Sequence, residues 1–462
     1  MKRLPTAMAQ RRRPTTTWLV AVLAVTVITA IAGITALLGM AAAAQSSVGA
    51  QAGAAAMAPA MSTTGDQPTR GAYLAHIGGC AGCHTAQLGA PFAGGRGVPT
   101  PFGTLYSSNI TPDPAHGIGR YSFDDFRRVM REGTAPGGKH LYPAMPYSAY
   151  TKMTDEDLRA LFGHLQKGVA PRPDVPPANE VSFPFNQRWA LGLWKMAFLH
   201  EGAYAPKPGR DAEWNRGAYL VQAVGHCGAC HTPRGFAFQE RGEDESSRHF
   251  LTGEVNDHWF ASNLTGEPNA GLGRLSAEDI AAFLKTGYAA GMSAYGSMAE
   301  EVEQSLQHMS DSDTRAVAAY LKTLTPQRAS GRYHPSGETV RTQADGNHTR
   351  DLSPTGQAVY QHFCAQCHQA DGSGVPRVFP RLAGNQSVLA EDPSSLIRLV
   401  IEGGHTPRTA QGPPPQSMPG FAQTLTDVAQ ANVLTYIREA WGNDAKPVTT
   451  SDVSKLRKAV KE

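Results

Sequence analysis

Cys80-Ala81-Gly82-Cys83-His84 recurs as Cys227-Gly228-Ala229-Cys230-His231 and as Cys364-Ala365-Gln366-Cys367-His368, and these three copies use all six cysteines of the chain. A structural zinc needs four tetrahedral ligands, usually supplied by a second pair nearby, and these pairs stand more than a hundred residues apart. A thioredoxin-type dithiol does not call for a His directly after its second Cys. An iron–sulfur cluster asks for four thiolates. Covalent haem c accounts for every residue of the pattern: two thiols form thioethers with the porphyrin vinyl groups, and the following His reaches the iron as proximal ligand. The expected cofactor is therefore three haems c, on Cys80 and Cys83, Cys227 and Cys230, and Cys364 and Cys367, with His84, His231 and His368 on the irons.

The sixth ligand decides between electron transfer and catalysis, because an axial Met raises the reduction potential and closes the iron to substrates. Met418 is the one Met of the third region and lies nine residues before Asp427 of a closing helix. Met145 shares the following Pro with it and lies ten residues before Asp155. In the second region Met298 stands 13 residues before Asp311 and Met292 stands 19 before it, which favours Met298. Met130, Met153 and Met309 fall in helix-packing positions. Arg120 and Arg274, at matched places in Gly-rich loops, are candidate partners for haem propionates, and Arg381 is a further one. His226, His140, His164, His308, His362 and His405 lie outside the motifs, where a satisfied or surface role is the default.

These residues must be carried by helices. Arg70-Gly71-Ala72-Tyr73-Leu74 before the first anchor recurs as Arg216-Gly217-Ala218-Tyr219-Leu220 before the second. Ser108-Asn109-Ile110-Thr111 followed by Gly117-Ile118-Gly119-Arg120 recurs at the same spacing as Ser262-Asn263-Leu264-Thr265 and Gly271-Leu272-Gly273-Arg274, the mark of a duplication. Both Asn-x-Thr triplets fit a glycosylation pattern, but their place in the repeat favours a structural role. Ser122 with Asp125 and Ser276 with Asp279 predict capped helix starts, and Thr154, Ser310 and Thr426 predict the starts of closing helices. With 48 Gly and 33 Pro, the chain has the many loops needed to wrap short helices round a flat cofactor. The expected fold is all-α: three tandem class I cytochrome c-like domains at 66–203, 211–325 and 353–443, with a linker at 326–352 and a tail at 444–462.

Lys2, Arg3 and Arg11-Arg12-Arg13 precede an uncharged apolar stretch from Trp18 to Ala44. Its length favours a membrane anchor, and Ala42-Ala43-Ala44 favours a cleaved signal peptide; residues 1–44 are one or the other, followed by a low-complexity linker at 45–65. Either places the remainder at the periplasmic face of the cell membrane. The first 44 residues hold five basic residues and no acid, which takes the rest of the chain from +3 to −2 and removes any basic field for nucleic acid. The basic run Lys455 to Lys461 reads as a solvated tail or a lipid contact.

From about residue 66 to 443 the chain resembles the tri-haem cytochrome c subunits of the membrane-bound dehydrogenases of acetic acid bacteria, most closely the alcohol dehydrogenase type. The resemblance is carried by Ser108 to Asp113, Tyr142-Pro143-Ala144-Met145-Pro146-Tyr147, His226 to Gly235, Met298-Ala299-Glu300 and Ala440-Trp441-Gly442-Asn443. It implies Met145, Met298 and Met418 as distal ligands, and a non-catalytic subunit that takes electrons from a dehydrogenase catalytic subunit and passes them to ubiquinone in the membrane. Related subunits serve quinoprotein alcohol, flavoprotein polyol or gluconate, and molybdopterin aldehyde dehydrogenases. Arg381 stands where that family suggests Pro. A haem peroxidase is the rival of another class, and it requires an iron with an open distal side.

Overall fold

Each CxxCH copy follows a helix in which a glycine lets a later helix lie against its backbone. The computed structural model describes residues 69–335 and 354–460. The expected signal or anchor at 1–44, the linker at 45–65 and most of the linker at 326–352 lie outside the described residues. In the first segment α1 (Arg70–Ile77) leads to the motif, α2 (Phe123–Glu132) follows a loop, and α3 (Asp155–Lys167) closes. A long connection then carries α4 (Ala190–Phe198). The second segment repeats the plan with α5 (Ala212–Tyr219), α6 (Ala277–Thr286), α7 (Gly296–Gln304) and α8 (Asp311–Lys322). The third runs α9 (Pro354–Phe363), α10 (Ser394–Glu402), α11 (Asp427–Glu439) and α12 (Thr450–Ala459). Strands are short ladders only, the longest being Gly97–Thr100 with Gly103–Tyr106, which Glu180–Val181 extends. Among the described residues no helix is long and apolar enough to cross a membrane.

The helix starts are where the residue pattern puts them. Ser122 and Asp125 form a reciprocal capping box at α2, and Ser276 and Asp279 do the same at α6. Thr154, Ser310 and Thr426 cap α3, α8 and α11. The helix pairs cross at glycine. A Cβ on Gly71 would lie 2.0 Å from the Ala160 carbonyl oxygen, one on Gly217 1.9 Å from that of Ala316, and one on Gly356 2.4 Å from that of Asn432. Any side chain would force the pairs α1/α3, α5/α8 and α9/α11 apart.

The repeated Arg and Tyr join the first two segments. Arg70 donates from Nε to Asp157 at 2.5 Å within its own segment, while Tyr219 of the second segment donates to the same carboxylate at 2.6 Å. Reciprocally, Arg216 holds Asp313 at 2.9 and 2.7 Å, and Tyr73 of the first segment donates to Asp313 at 2.7 Å. Each tyrosine oxygen also accepts the cap amide of the closing helix it reaches, Thr154 at 3.3 Å and Ser310 at 3.0 Å. Both carboxylates are buried, so this pseudo-symmetric exchange satisfies charges that would otherwise be costly. Burial and the Asp313 charge push the Tyr73 phenol up to about 12. One continuous apolar core, from Leu74 and Ile77 through Val224 to Leu324, serves both segments.

The third segment has its own core, from Tyr360 to Leu456. Arg438, 1% exposed, crosses it and donates to the carbonyls of Lys446, Val388 and Ala390 at 2.7, 2.6 and 2.9 Å; burial lowers its pKa to about 10. The stretch expected as a C-terminal tail, 444–462, is instead structured as far as the described residues run. Thr449 and Asp452 cap α12, Val453 and Leu456 enter the core, and Arg457 holds Asp427 at 2.6 Å and the Ala422 carbonyl at 2.7 Å. The charge count suggested a solvated end, but the apolar residues between the charges are spaced to pack.

Tyr219→Phe is expected to cost about 1.5–3 kcal/mol, the worth of a hydrogen bond to a buried carboxylate. Tyr106→Phe, whose exposed hydroxyl reaches Glu180 at 3.4 Å, should cost under about 0.5 kcal/mol. Denaturant unfolding of the two variants checks the difference.

Candidate metal centres

Each motif folds as one helical turn that closes on its own first cysteine. The amides of His84, His231 and His368 donate to the carbonyls of Cys80, Cys227 and Cys364 at 2.9, 3.0 and 3.0 Å. This puts the two thiols and the imidazole of each copy on one short turn. None of the six cysteines is in a disulfide. Burial pushes the Cys80 and Cys227 thiols up to about 12 and those of Cys230 and Cys364 up to about 11. Thiols so placed are protonated at neutral pH, unlike those of a reactive dithiol.

The imidazoles are oriented identically. His84 Nδ1 lies 2.7 Å from the Ser108 carbonyl oxygen, His231 Nδ1 2.7 Å from that of Ser262, and His368 Nδ1 2.8 Å from that of Pro380. A carbonyl can only accept, so Nδ1 carries the proton and Nε2 keeps its lone pair for a metal. Burial lowers all three imidazole pKa values, partly offset by the carbonyl contact, which keeps the rings neutral. On the other side of each turn the His carbonyl accepts from a glycine amide in the left-handed region: Gly94, Gly253 and Gly374 at 2.8, 2.8 and 3.0 Å. The repeated Asn sits beside this clamp. Asn109 and Asn263, each 3% exposed, accept the amides of Thr111 and Thr265 at 2.9 and 2.8 Å, so they serve as buried turn formers, not surface glycosylation sites.

The methionines fall on equivalent backbone in the first two segments. After the left-handed cap glycines Gly133 and Gly287, the amides of Leu141 and Ala294 return to those glycine carbonyls at 2.8 and 2.7 Å. Met145 and Met298 each follow four residues later, and both pack on the shared core with Cys227. Met292 is buried in the ladder opposite Ala289. Met418 differs: it pairs with Gly404 directly after the cap Gly403, and it packs on the same core as Cys364. Met130, Met153 and Met309 are core residues.

Arg120 is exposed and has no hydrogen-bond or ion-pair partner among the described residues. Arg274 reaches the carbonyls of Pro268, Asn269 and Gly384 at 2.6, 3.1 and 2.7 Å, the last belonging to the third segment. Burial and the charge of Arg381 lower its pKa. Arg381 follows the Pro380 that orients His368, and its buried Nε has no acceptor. A guanidinium with a buried Nε lacking an acceptor, beside a second guanidinium, fits a propionate carboxylate. Of the lone histidines, His226 reaches the Gly78 carbonyl at 3.3 Å across the first two motifs and His308 packs on His76. His140 Nδ1 is buried without a partner, His164 lies on α3 near His76, His362 packs on Phe363, and His405 contacts the Thr406 carbonyl.

The first two motifs are neighbours. The Gly78 carbonyl accepts both Tyr150 and His226 at 3.3 Å, and Glu301 raises the pKa of both Cys83 and Cys230. A cavity of 270 Å³ lies between the three segments, lined by Arg96, Trp259, Ser297, Arg398 and Gly404. Arg96 bonds the Gly82 carbonyl of the first motif at 2.9 Å, Ser297 precedes Met298, and Gly404 pairs with Met418. Among the described residues no three His, Cys, Asp or Glu side chains gather as a metal-holding group. A free Nε2 beside two unpaired thiols is what covalent haem requires.

The comparisons agree with this chemistry. A family model described as cytochrome c matches residues 353–441. The chain is 44% identical over 395 residues to the alcohol dehydrogenase (quinone) cytochrome c subunit of Gluconacetobacter polyoxogenes, covering 84% of this chain and 83% of that one. It is 43% identical to the gluconate 2-dehydrogenase cytochrome c subunit of Pantoea cypripedii, covering 84% and 89%, and 36% identical to the fructose dehydrogenase cytochrome subunit of Gluconobacter japonicus, covering 85% and 83%. The chain belongs to the family of dehydrogenase cytochrome c subunits. It is an electron-transfer subunit and not the catalytic enzyme, and its cofactor is covalent haem c.

The orienting carbonyls and left-handed glycines went unnoticed in the sequence, although the Ser-Asn repeat at 108 and 262 marks two of the carbonyls. Gly94 and Gly137 have nearly equal φ, 78° and 76°, but a Cβ on Gly94 meets the Ser108 carbonyl carbon at 2.5 Å and one on Gly137 meets nothing within 4 Å. Gly137→Ala should therefore cost about 1–2 kcal/mol of backbone strain. Gly94→Ala should cost at least about 1 kcal/mol more from the clash. Unfolding midpoints of the two variants test this.

Proposed function

We propose that the chain carries three haems c and relays electrons from a periplasmic dehydrogenase subunit to membrane ubiquinone. The observation that carries the reading is the threefold recurrence of one arrangement, a neutral imidazole held through Nδ1 with Nε2 free, directly after two unpaired thiols. Haem c bound there supplies a one-electron iron couple. Cys80 and Cys83, Cys227 and Cys230, and Cys364 and Cys367 hold the three macrocycles. His84, His231 and His368 are the proximal ligands, and Met145, Met298 and Met418 are the distal ligands, which leaves no open iron for peroxidase chemistry. Each closed unit is a class I cytochrome c-like domain, at 66–203, 211–325 and 353–443. Arg274 and Arg381 neutralise propionates where the second and third segments meet, and Arg120, exposed at the matched place, serves the first.

The partner proposed is a quinoprotein alcohol dehydrogenase, in keeping with the Gluconacetobacter relative, which is named as a subunit of an alcohol dehydrogenase (quinone). The gluconate and fructose dehydrogenase relatives support a flavoprotein partner as the second reading, with a molybdopterin aldehyde dehydrogenase third. The basic, apolar N-terminus supports a place on the periplasmic side of the cell membrane, by signal or by anchor. The detergent-solubilised complex tests this: three haems c per chain, a Met–iron charge-transfer band and a co-purifying dehydrogenase are expected. One haem per chain, or no partner, would refute it.

The ligand assignment in the second segment has a sharper test. Met298→Ala is expected to lower one of the three midpoint potentials and open that iron to cyanide, while Met292→Ala leaves all three potentials in place and costs about 2–5 kcal/mol of stability. Potentiometric titration with cyanide binding separates the outcomes.

A further inference from the structure

The connection between the first two segments carries a helix turned inside out. On α4 and the turn before it, the exposed positions are Trp189, Ala190, Leu193, Met196 and Ala197, an apolar stripe at helical spacing. The one cation of α4, Lys195, is 8% exposed and donates to the Glu132 and Gly133 carbonyls and the Thr134 hydroxyl at 2.7, 3.2 and 2.7 Å. It thereby satisfies carbonyls at the C-terminal end of α2, where a cation is favoured. Arg188 donates inward to the His140 carbonyl at 2.8 Å, and Trp194 donates its indole N–H to the Ala237 carbonyl at 2.8 Å. These polar contacts fix the helix with its apolar face outward, against the usual preference of an amphipathic helix. Phe183 and Phe185 on one side and Phe236 on the other widen the patch; Met196 is 84% exposed and Phe236 90%.

A contiguous apolar patch of this kind marks a surface that something covers. No exposed residue between Ser182 and Ala197 is charged. The protruding Trp, Phe, Leu and Met side chains suit the headgroup–acyl boundary of a bilayer, where convex apolar knobs insert without a shaped partner pocket. The same chain carries the uncharged apolar stretch Trp18–Ala44, which brings it to a membrane by export or anchoring. We propose that the Phe183–Met196 face, with Phe236, inserts into the outer interface of the phospholipid bilayer and seats the subunit on it. The inference rests on the membrane placement given above and adds the surface that makes the contact.

The test uses the haem-loaded chain exported behind a cleaved signal in place of residues 1–44, so that only the folded part can reach lipid. Flotation with phosphatidylcholine vesicles, with and without phosphatidylglycerol, is compared for the wild type and for the Leu193→Ser/Met196→Ser/Phe236→Ser variant. The wild type should float on both vesicle types and in high salt, because the contact is apolar. The triple variant should lose at least about tenfold in partitioning, since three large apolar side chains leave the interface. Its melting temperature should stay unchanged, and Met196→Glu alone should show a smaller loss in the same direction. A wild type that stays unbound, or a triple variant that floats equally, overturns the proposal. Equal flotation with weaker dehydrogenase co-purification would instead make the face a protein interface. Haem content and reduction by the dehydrogenase in detergent are read separately, so failure of the relay is distinguishable from failure of the lipid contact.

Discussion

Everything else in this molecule is subordinate to holding three imidazoles by Nδ1. A histidine that is to ligate a metal through Nε2 must have its tautomer and ring plane set before the metal acts on it, and a backbone carbonyl does both. At the first and second motifs that carbonyl comes from a loop 24 and 31 residues further on, and at the third from one only 12 residues on. The loops therefore need internal fastening. Asn109 and Asn263 supply it with buried Asx turns in the first two, and Gly94, Gly253 and Gly374 tie the other strand of each loop back to the His carbonyl. The glycine clash geometry follows from the same demand, because the two strands of the loop touch where they meet.

The segments are joined by two different kinds of force. Between the first and second, two buried carboxylates are each shared by an arginine of one segment and a tyrosine of the other, over a continuous apolar core. Breaking such a contact strands a charge, so these segments unfold together more readily than apart. The third segment is attached through separate polar contacts: Arg274 to the Gly384 carbonyl, Arg381 N–H to that of Gly291, and Phe260 N–H to the Ser395 hydroxyl. It is also held through Arg398, which pairs with Asp257 and stacks on Trp259, and through a small apolar contact of Ala270 with Leu389 and Ala445. Its main core is its own, and Arg438 and the docked α12 stabilise it from within.

Much of this was legible in the residues because the signals are local. The CxxCH turns, the Ser and Thr caps and the duplication can each be read from a window of a few residues. The purpose of the Arg-Gly-Ala-Tyr-Leu repeat was not legible, since its glycine answers to a helix about ninety residues away and its tyrosine to a carboxylate of the other segment. The C-terminal helix is hidden in the sequence for a related reason: charge composition speaks to solubility, while Val453 and Leu456 reveal their role only against α10 and α11. α4 defeats pattern reading altogether. Apart from Lys195 its residues are apolar or glycine, and only the acceptors at the end of α2 show which face turns inward.

The electrostatic setting of the motifs separates them despite their shared geometry. Burial moves the Cys80, Cys83, Cys227, Cys230 and Cys364 thiols upward and the three imidazoles downward, so the environment favours the less charged state of a bound centre. The Met thioether ligands proposed above would act in the same direction. Against this, Glu301 acts on the thiols of both the first and the second motif, whereas the Cys364 thiol is raised by burial and by Cys367 alone. By Coulomb's law a carboxylate at short range in a low dielectric favours the more positive state of whatever sits beside it. One side chain on α7 thus acts on two neighbouring motifs together, a distinction that the shared CxxCH pattern does not contain.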